Sequence, residues 1–174
     1  MAGPDFQFED ECAGPVAGVD EAGRGPWAGP VVAAAVILDR ADVPEGLNDS
    51  KKLSARRRET LFAELMARAK VGIGTASVEE IDRLNILGAN DMAMRRALDE
   101  IAPATALIDG NRIPKGLTLD AMSLVKGDTR SFSIAAASIV AKVTRDRIMT
   151  DLAKTHPGYG WERNKGYGTA EHRR

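Results

Sequence analysis

Asp20 and Glu21 stand side by side at the end of an apolar run and directly before a glycine turn, in the stretch Gly18-Val19-Asp20-Glu21-Ala22-Gly23-Arg24-Gly25-Pro26. Two adjacent carboxylates where a buried strand should emerge are costly to fold around. Packing gives no reason to keep them, so the pair marks a place where chemistry has selected the residues.

Composition narrows the setting of that chemistry. A chain of 174 residues, 44% of them hydrophobic, suffices for one globular domain with its own core, residues 1–174. Cys12 is the only cysteine, which excludes an intrachain disulfide and a thiolate metal site and fits a reducing, cytosolic environment. The start, Met1-Ala2-Gly3-Pro4-Asp5, has no basic segment followed by an apolar one, and no run is long enough to span a bilayer. The expectation is a soluble, cytoplasmic protein with no membrane partner. A net charge of -1 gives no global footprint for a polyanion, so any nucleic-acid binding must come from local patches.

Val16 to Asp20 and Val31 to Leu38 read as two paired strands joined through Gly/Pro punctuation. Ser54 is a suitable N-cap for a helix ending near Lys70, with Leu61, Phe62, Leu65, Met66 and Ala69 as its apolar stripe. Val71, Ile73 and Thr75 alternate as a third strand. Ser77-Val78-Glu79-Glu80 has capping-box form and opens a second helix, striped by Leu87, Met94, Leu98 and Ile101, broken near Asn85 or Gly88 and ended by Pro103. Strands over Ala104 to Ile108 and Leu117 to Val125 precede a long helix from Ser133, with Ile139, Val140, Val143, Ile148 and Leu152 facing inward. From about His156 the chain reads as an irregular tail. The order argues an α/β fold, a mixed central sheet flanked by helices.

Three places put acids at a strand end or before a helix: Asp20 with Glu21, Asp109, and Asp128. Strand ends on one rim of an α/β sheet can gather residues that are far apart in sequence. Four carboxylates in one pocket cannot all remain ionised without a cation, and all-oxygen ligands select hard ions such as Mg²⁺ or Mn²⁺. Two ions roughly 4 Å apart would suit phosphodiester cleavage. Each acid also has a plainer reading: Asp109-Gly110 as turn chemistry, Asp128 as a helix-entry residue. Gly23-Arg24-Gly25 either reverses the chain or lets backbone amides approach a nucleotide, with Arg24 near a phosphate. Gly72-Ile73-Gly74-Thr75-Ala76-Ser77 imitates a dinucleotide fingerprint but lacks its third glycine and its partner acid. Asp49, Asp82, Asp91, Asp99 and Asp151 read as surface or capping residues. The local positive cluster of Lys51, Lys52, Arg56, Arg57 and Arg58 is either a solvated face or a phosphate contact. Lys142 and Arg145 on the long helix are placed to face a duplex backbone. His156 and His172 lack zinc spacing, and Trp27 and Trp161 read as packing residues.

Gly18 to Pro30, Asn48-Asp49-Ser50-Lys51-Lys52-Leu53, Ile108-Asp109-Gly110, Lys126-Gly127-Asp128, Ser133 to Asp146 and Lys165-Gly166-Tyr167-Gly168-Thr169, taken together and in order, resemble ribonuclease HII, the type 2 ribonuclease H family. The resemblance implies a ribonuclease H-like fold. It further implies Mg²⁺- or Mn²⁺-dependent endonucleolysis of the RNA strand of RNA/DNA hybrids and of duplex DNA containing single ribonucleotides. Cleavage would fall 5′ of the ribonucleotide and leave 3′-hydroxyl and 5′-phosphate ends, in DNA replication and repair, by a monomer. By position, Asp20, Glu21, Asp109 and Asp128 match the family's metal-binding acids, Asp20 and Asp109 bridging both ions. Gly23, Arg24 and Gly25 match the motif whose backbone reads the 2′-hydroxyl, Tyr167 the tyrosine that packs on the sugar at the RNA-to-DNA junction, and Lys51 a phosphate contact. The tail is short relative to the family, which reads as truncation, and Trp161 and Asn164 depart from its pattern. The residues alone leave two alternatives: a DNA nuclease of the junction-resolvase or transposase kind using the same acids, and a non-catalytic hybrid-binding module with a structural metal.

Overall fold

The computed structural model describes residues 3–25 and 29–169; Trp27 and His172 lie outside the described residues. Among the described residues five strands form one sheet in the order β3-β2-β1-β4-β5. β1 (Val16–Ala22) is central, antiparallel to β2 (Val31–Ile37) and parallel to β4 (Thr105–Asp109). β3 (Lys70–Ala76) extends the antiparallel side and β5 (Asp120–Leu124) the parallel side, so the sheet is mixed as expected. β5 is shorter than the apolar run from Leu117 suggests, because it pairs only along the length of β4.

Helices cover both faces. On one, α3 (Val78–Ile101) buries Ala89, Ala93, Met94, Ala97, Leu98 and Ile101 against Ala17, Val19, Ala33, Ala35, Ala106 and Ile108. On the other, α4 (Phe132–Thr155) and α2 (Ala55–Arg68) enclose Ala34, Val36, Leu61, Leu65, Ile139, Val140 and Val143. Strand alternation does this sorting, since successive side chains leave a strand on opposite faces. The alanines of β2 keep both helix layers close to the sheet. Glycines set the closest approaches: a Cβ on Gly18 would lie 2.1 Å from the Ser133 carbonyl carbon, and Cβ atoms on Gly72 and Gly74 would lie 2.1 and 2.0 Å from the carbonyl oxygens of Ala97 and Ala93. Gly72 and Gly74 are thus packing surfaces for α3, which explains the imitation nucleotide fingerprint.

Local signals account for the helix ends. Ser54 accepts from the Arg57 amide and caps α2, while Ser77 and Glu80 close the capping box of α3. The break in α3 falls at Asn85, at φ 62°, where the Asn85 side chain accepts from the Gly88 amide and restarts the helix. That kink resets the helical phase, so Leu87 is exposed rather than part of the buried stripe; Met66 is exposed too, being off the face set by Leu61 and Leu65. α4 begins at Phe132 behind the cap Ser131, two residues further out than Ser133. In its C-terminal half the buried positions are Arg145 and Met149, with Ile148 and Leu152 only half-buried, because α4 there packs on the tail. The tail carries a single helical turn, α5 (Trp161–Asn164), in otherwise irregular chain. α1 (Gln7–Asp10) has no clear sequence signal, yet it inserts the buried Glu9, which accepts from the Ser131 hydroxyl at 2.9 Å and the Ser133 amide at 3.0 Å.

Candidate active site

The register between β1 and β4 pairs Val19 with Ile108, so Asp20 and Asp109 follow as neighbours at the carboxyl ends of two parallel strands. Asp109 shares the parity of Leu107, which packs against Ile134 of α4, and Asp20 shares that of Gly18, which meets Ser133; both acids leave the sheet on the α4 side. Asp128 reaches the same point from a 3-10 turn, Gly127–Thr129, entered through Lys126 at φ 55°. Its amide donates to Asp109 Oδ1 at 3.2 Å. Gly127 makes that approach feasible, since a Cβ there would lie 2.6 Å from Ile134 Cδ1 and 3.3 Å from Asp109 Oδ1.

Carboxylate oxygens of Asp20, Asp109 and Asp128 all lie within 4.8 Å of one another. Glu21, one residue along the strand, points the other way and stands outside this trio while still lining the same cleft. Its Oε1 is 3.5 Å from Arg24 Nη1, and its Oε2 is buried without a hydrogen-bond partner.

Crowding leaves its mark on acidity. Burial, then the charges of Asp109 and Glu21, hold the Asp20 carboxyl well above the usual range, against the Glu21 amide that donates to Asp20 Oδ1 at 2.8 Å. Burial, with Asp109 and Asp49, pushes Asp128 up to about 6. Burial also raises Glu21, with Asp20 and Arg24 opposing. A hard divalent cation fits this donor set: the ligands are all oxygen, they converge, and they repel one another until positive charge is supplied.

The other residues singled out in the sequence line the same cleft, of about 490 Å³: Gly23, Arg24 and Gly25 on the loop after β1, Lys51, Lys142 and Tyr167. Lys51 sits on a 3-10 turn, Ser50–Lys52, with Nζ 3.5 Å from Asp128 and 3.8 Å from Asp49. Burial opposes its charge, but Asp128, Asp49 and Asp20 together raise the pKa of its ammonium group. Lys142 pairs with Asp146 at 3.0 Å and lies 5.7 Å from the Tyr167 ring centroid. Arg145 does not face a duplex: it is 1% exposed and turned into the protein, because two backbone carbonyls there recruit its guanidinium. Arg57 and Arg58 donate to the carbonyls of Glu45, Ser50 and Leu53, so they hold the loop carrying Lys51 rather than forming a free basic face.

Sequence reasoning passed over several contributors. Asp49, read as a surface or capping residue, does cap the turn by accepting from the Lys51 amide at 3.0 Å, but it is buried rather than on the surface. Ser138 of α4 accepts from the Ser50 amide at 3.2 Å and anchors that turn. Asp91, read as a surface or capping residue, is 3% exposed and takes a two-pronged contact from Arg112 at 2.5 and 2.7 Å. Nothing local announces that pair, which joins α3 to the loop after β4.

With this geometry in place, comparison with known proteins is decisive. Residues 17–174 match the family described as Ribonuclease HII. The chain belongs to the ribonuclease HII family. The ribonuclease HII of Jannaschia sp. (strain CCS1) is 63% identical over 172 residues, covering 98% of this chain and 86% of that one. That of Ruegeria pomeroyi is 62% identical over 179 residues, covering 99% and 76%. Among solved structures, ribonuclease HII in its complex with PCNA from Archaeoglobus fulgidus superposes with a TM-score of 0.78 at 30% identity, over 91% of this chain and 84% of that one. Ribonuclease H2 from Pyrococcus horikoshii OT3 gives 0.74 at 30%, over 89% and 81%. The fold is therefore ribonuclease H-like, and the protein is a hydrolase of the ribonuclease H type. Among the described residues no helix is long and apolar enough to cross a membrane.

Proposed function

We propose that this ribonuclease HII relative is a Mg²⁺- or Mn²⁺-dependent endonuclease that cuts the RNA strand of RNA/DNA hybrids and single ribonucleotides embedded in duplex DNA. Cleavage falls 5′ of the ribonucleotide and leaves 3′-hydroxyl and 5′-phosphate ends, and residues 1–174 act as one catalytic domain, as a monomer. The observation that carries this reading is the meeting, in one cleft, of three converging carboxylates with the glycine loop and Tyr167.

In this reading Asp20, Asp109 and Asp128, with Glu21 beside them, hold the cations. When bound, the cations supply charge neutralisation at the scissile phosphate and hydrolytic activation of water. The remaining work belongs to the chain. Among the described residues nothing lies within 4 Å of where a Cβ on Gly25 would stand, so a ribose can approach its backbone closely. Gly23, at φ +103°, turns the chain at the end of β1 and lines the cleft that holds the acids. Exposed Arg24 and Lys51, with Lys142, offer positive charge to flanking phosphates, and the half-open Tyr167 ring offers a face to a sugar. A 2′-hydroxyl is the chemical difference between RNA and DNA, and this arrangement tests for it. Removing ribonucleotides during DNA replication and repair is the cellular task that such selectivity serves.

A labelled duplex with one internal ribonucleotide tests the reading. Nicking is expected with Mg²⁺ or Mn²⁺, is lost in EDTA, is absent on an all-DNA duplex, and falls by roughly a thousandfold or more in Asp20→Asn. Full activity of Asp20→Asn, or equal cutting of all-DNA duplex, rejects it.

A further inference from the structure

Among the described residues Arg145 is the largest of the fully buried side chains, yet it lies on the helix that lines the cleft. Its Nε donates to the Pro30 carbonyl at 3.0 Å and its Nη1 to the Lys165 carbonyl at 2.5 Å. Pro30 closes the segment that begins with the glycine loop; Lys165 is two residues before Tyr167. The guanidinium carbon lies 5.5 Å from the Tyr167 ring centroid. The guanidinium packs on two positive-φ glycines of this segment: a Cβ on Gly23 would lie 2.5 Å from the Pro30 carbonyl oxygen and 2.6 Å from Nε, and one on Gly29 would lie 2.4 Å from Met149 Sδ and 2.9 Å from Nη2.

We propose that Arg145 is a positioning residue that sets the spacing between the Gly23–Gly25 loop and Tyr167, and thereby the selectivity for an isolated ribonucleotide. The inference rests on the reading of that loop and Tyr167 as the sugar-recognition pair. Two walls of the recognition site come from chain segments about 140 residues apart, and a planar fork of donors is the group suited to bridging two carbonyls at fixed separation. Lysine carries its three donors on one rotatable head and has no fixed fork to hold that separation. A continuous hybrid offers many registers in which a ribose meets the loop, so it tolerates a loosened gap. A single ribonucleotide offers one register, and a small misplacement there is expensive in rate.

The test is a double-mutant cycle with Arg145→Lys and Tyr167→Ala, reading single-turnover rates on a single-ribonucleotide duplex and on a continuous hybrid. Arg145→Lys is expected to lower the ratio of the two rates by about tenfold. In the Tyr167→Ala background, which itself loses selectively on the single ribonucleotide, the same change is expected to alter that ratio less than twofold. Arg145→Gln, whose planar amide cannot reproduce the fork that reaches both carbonyls, should reproduce the selective loss if Arg145→Lys folds poorly. Multiplicative effects of Arg145→Lys and Tyr167→Ala, or equal losses on both substrates in Arg145→Lys and Arg145→Gln, overturn the inference alone. Equal losses in Tyr167→Ala overturn the reading of Tyr167 and this inference with it.

Discussion

Asp20 is the residue at which stability and chemistry oppose each other. It is 6% exposed, faces Asp109 and Asp128, and has its acidity suppressed by burial and by those charges. Replacing it with asparagine removes a buried like charge at nearly constant volume. Asp20→Asn is therefore expected to raise the melting temperature of the metal-free protein, by an amount corresponding to about 1–2 kcal/mol, while abolishing cleavage. Thermal unfolding in EDTA checks it; a lower melting temperature than the parent would mean that the site is not held under electrostatic stress. The carboxylate pair was legible in the sequence because two acids at a strand end break the apolar pattern. Glu9, Asp91 and Arg145 were not, because each is buried by partners far away in the chain: Ser131 and Ser133, Arg112, and Pro30 with Lys165. Pairing over such separations leaves no mark on neighbouring residues.

At the scale of elements, α4 governs the site by where it begins. Its first turn lies on Gly18, two residues before Asp20, with Ser131 and Glu9 fixing its N-terminus. Gly18→Ala would drive a methyl group to 2.1 Å from backbone that cannot step aside. The expected cost is about 1–3 kcal/mol, with a lower urea midpoint and an unchanged slope. Activity should fall with it, because displacing α4 also displaces Ser138 and Lys142. Strands and caps were legible here since alternation, Ser54 and the Ser77 box are local rules. Helix phase was less so: one Asn85 kink moved Leu87 to the surface, and contact with the tail turned α4 onto Arg145 and Met149.

For the whole molecule, the raised acids tie folding to pH and metal together. A carboxyl with a higher pKa folded than unfolded binds more protons in the native state, so stability declines as pH rises through that interval. For Asp128 the interval runs from its ordinary value of 3.8 to about 6, and Asp20 and Glu21 act in the same direction. The contribution of the site is thus most favourable in acid and is withdrawn by neutral pH unless a cation occupies it. The gain in melting temperature on adding Mg²⁺ or Mn²⁺ is expected to be small at pH 5 and to grow towards pH 7.5, because the ions compete with protons for the same oxygens. A metal-induced gain that is flat with pH would contradict this.

The alanines of β2 give the molecule its tolerances. Ala34 lies opposite Asp20 in the β1–β2 register, and its side chain enters the layer shared with α4, while Ala33 and Ala35 enter the layer shared with α3. With only methyl groups as shims at these three positions, neither helix layer has slack there to absorb a larger side chain. Evolution of this scaffold can redecorate the loops around the cleft, but any thickening of that strand would be transmitted to the acid across from it.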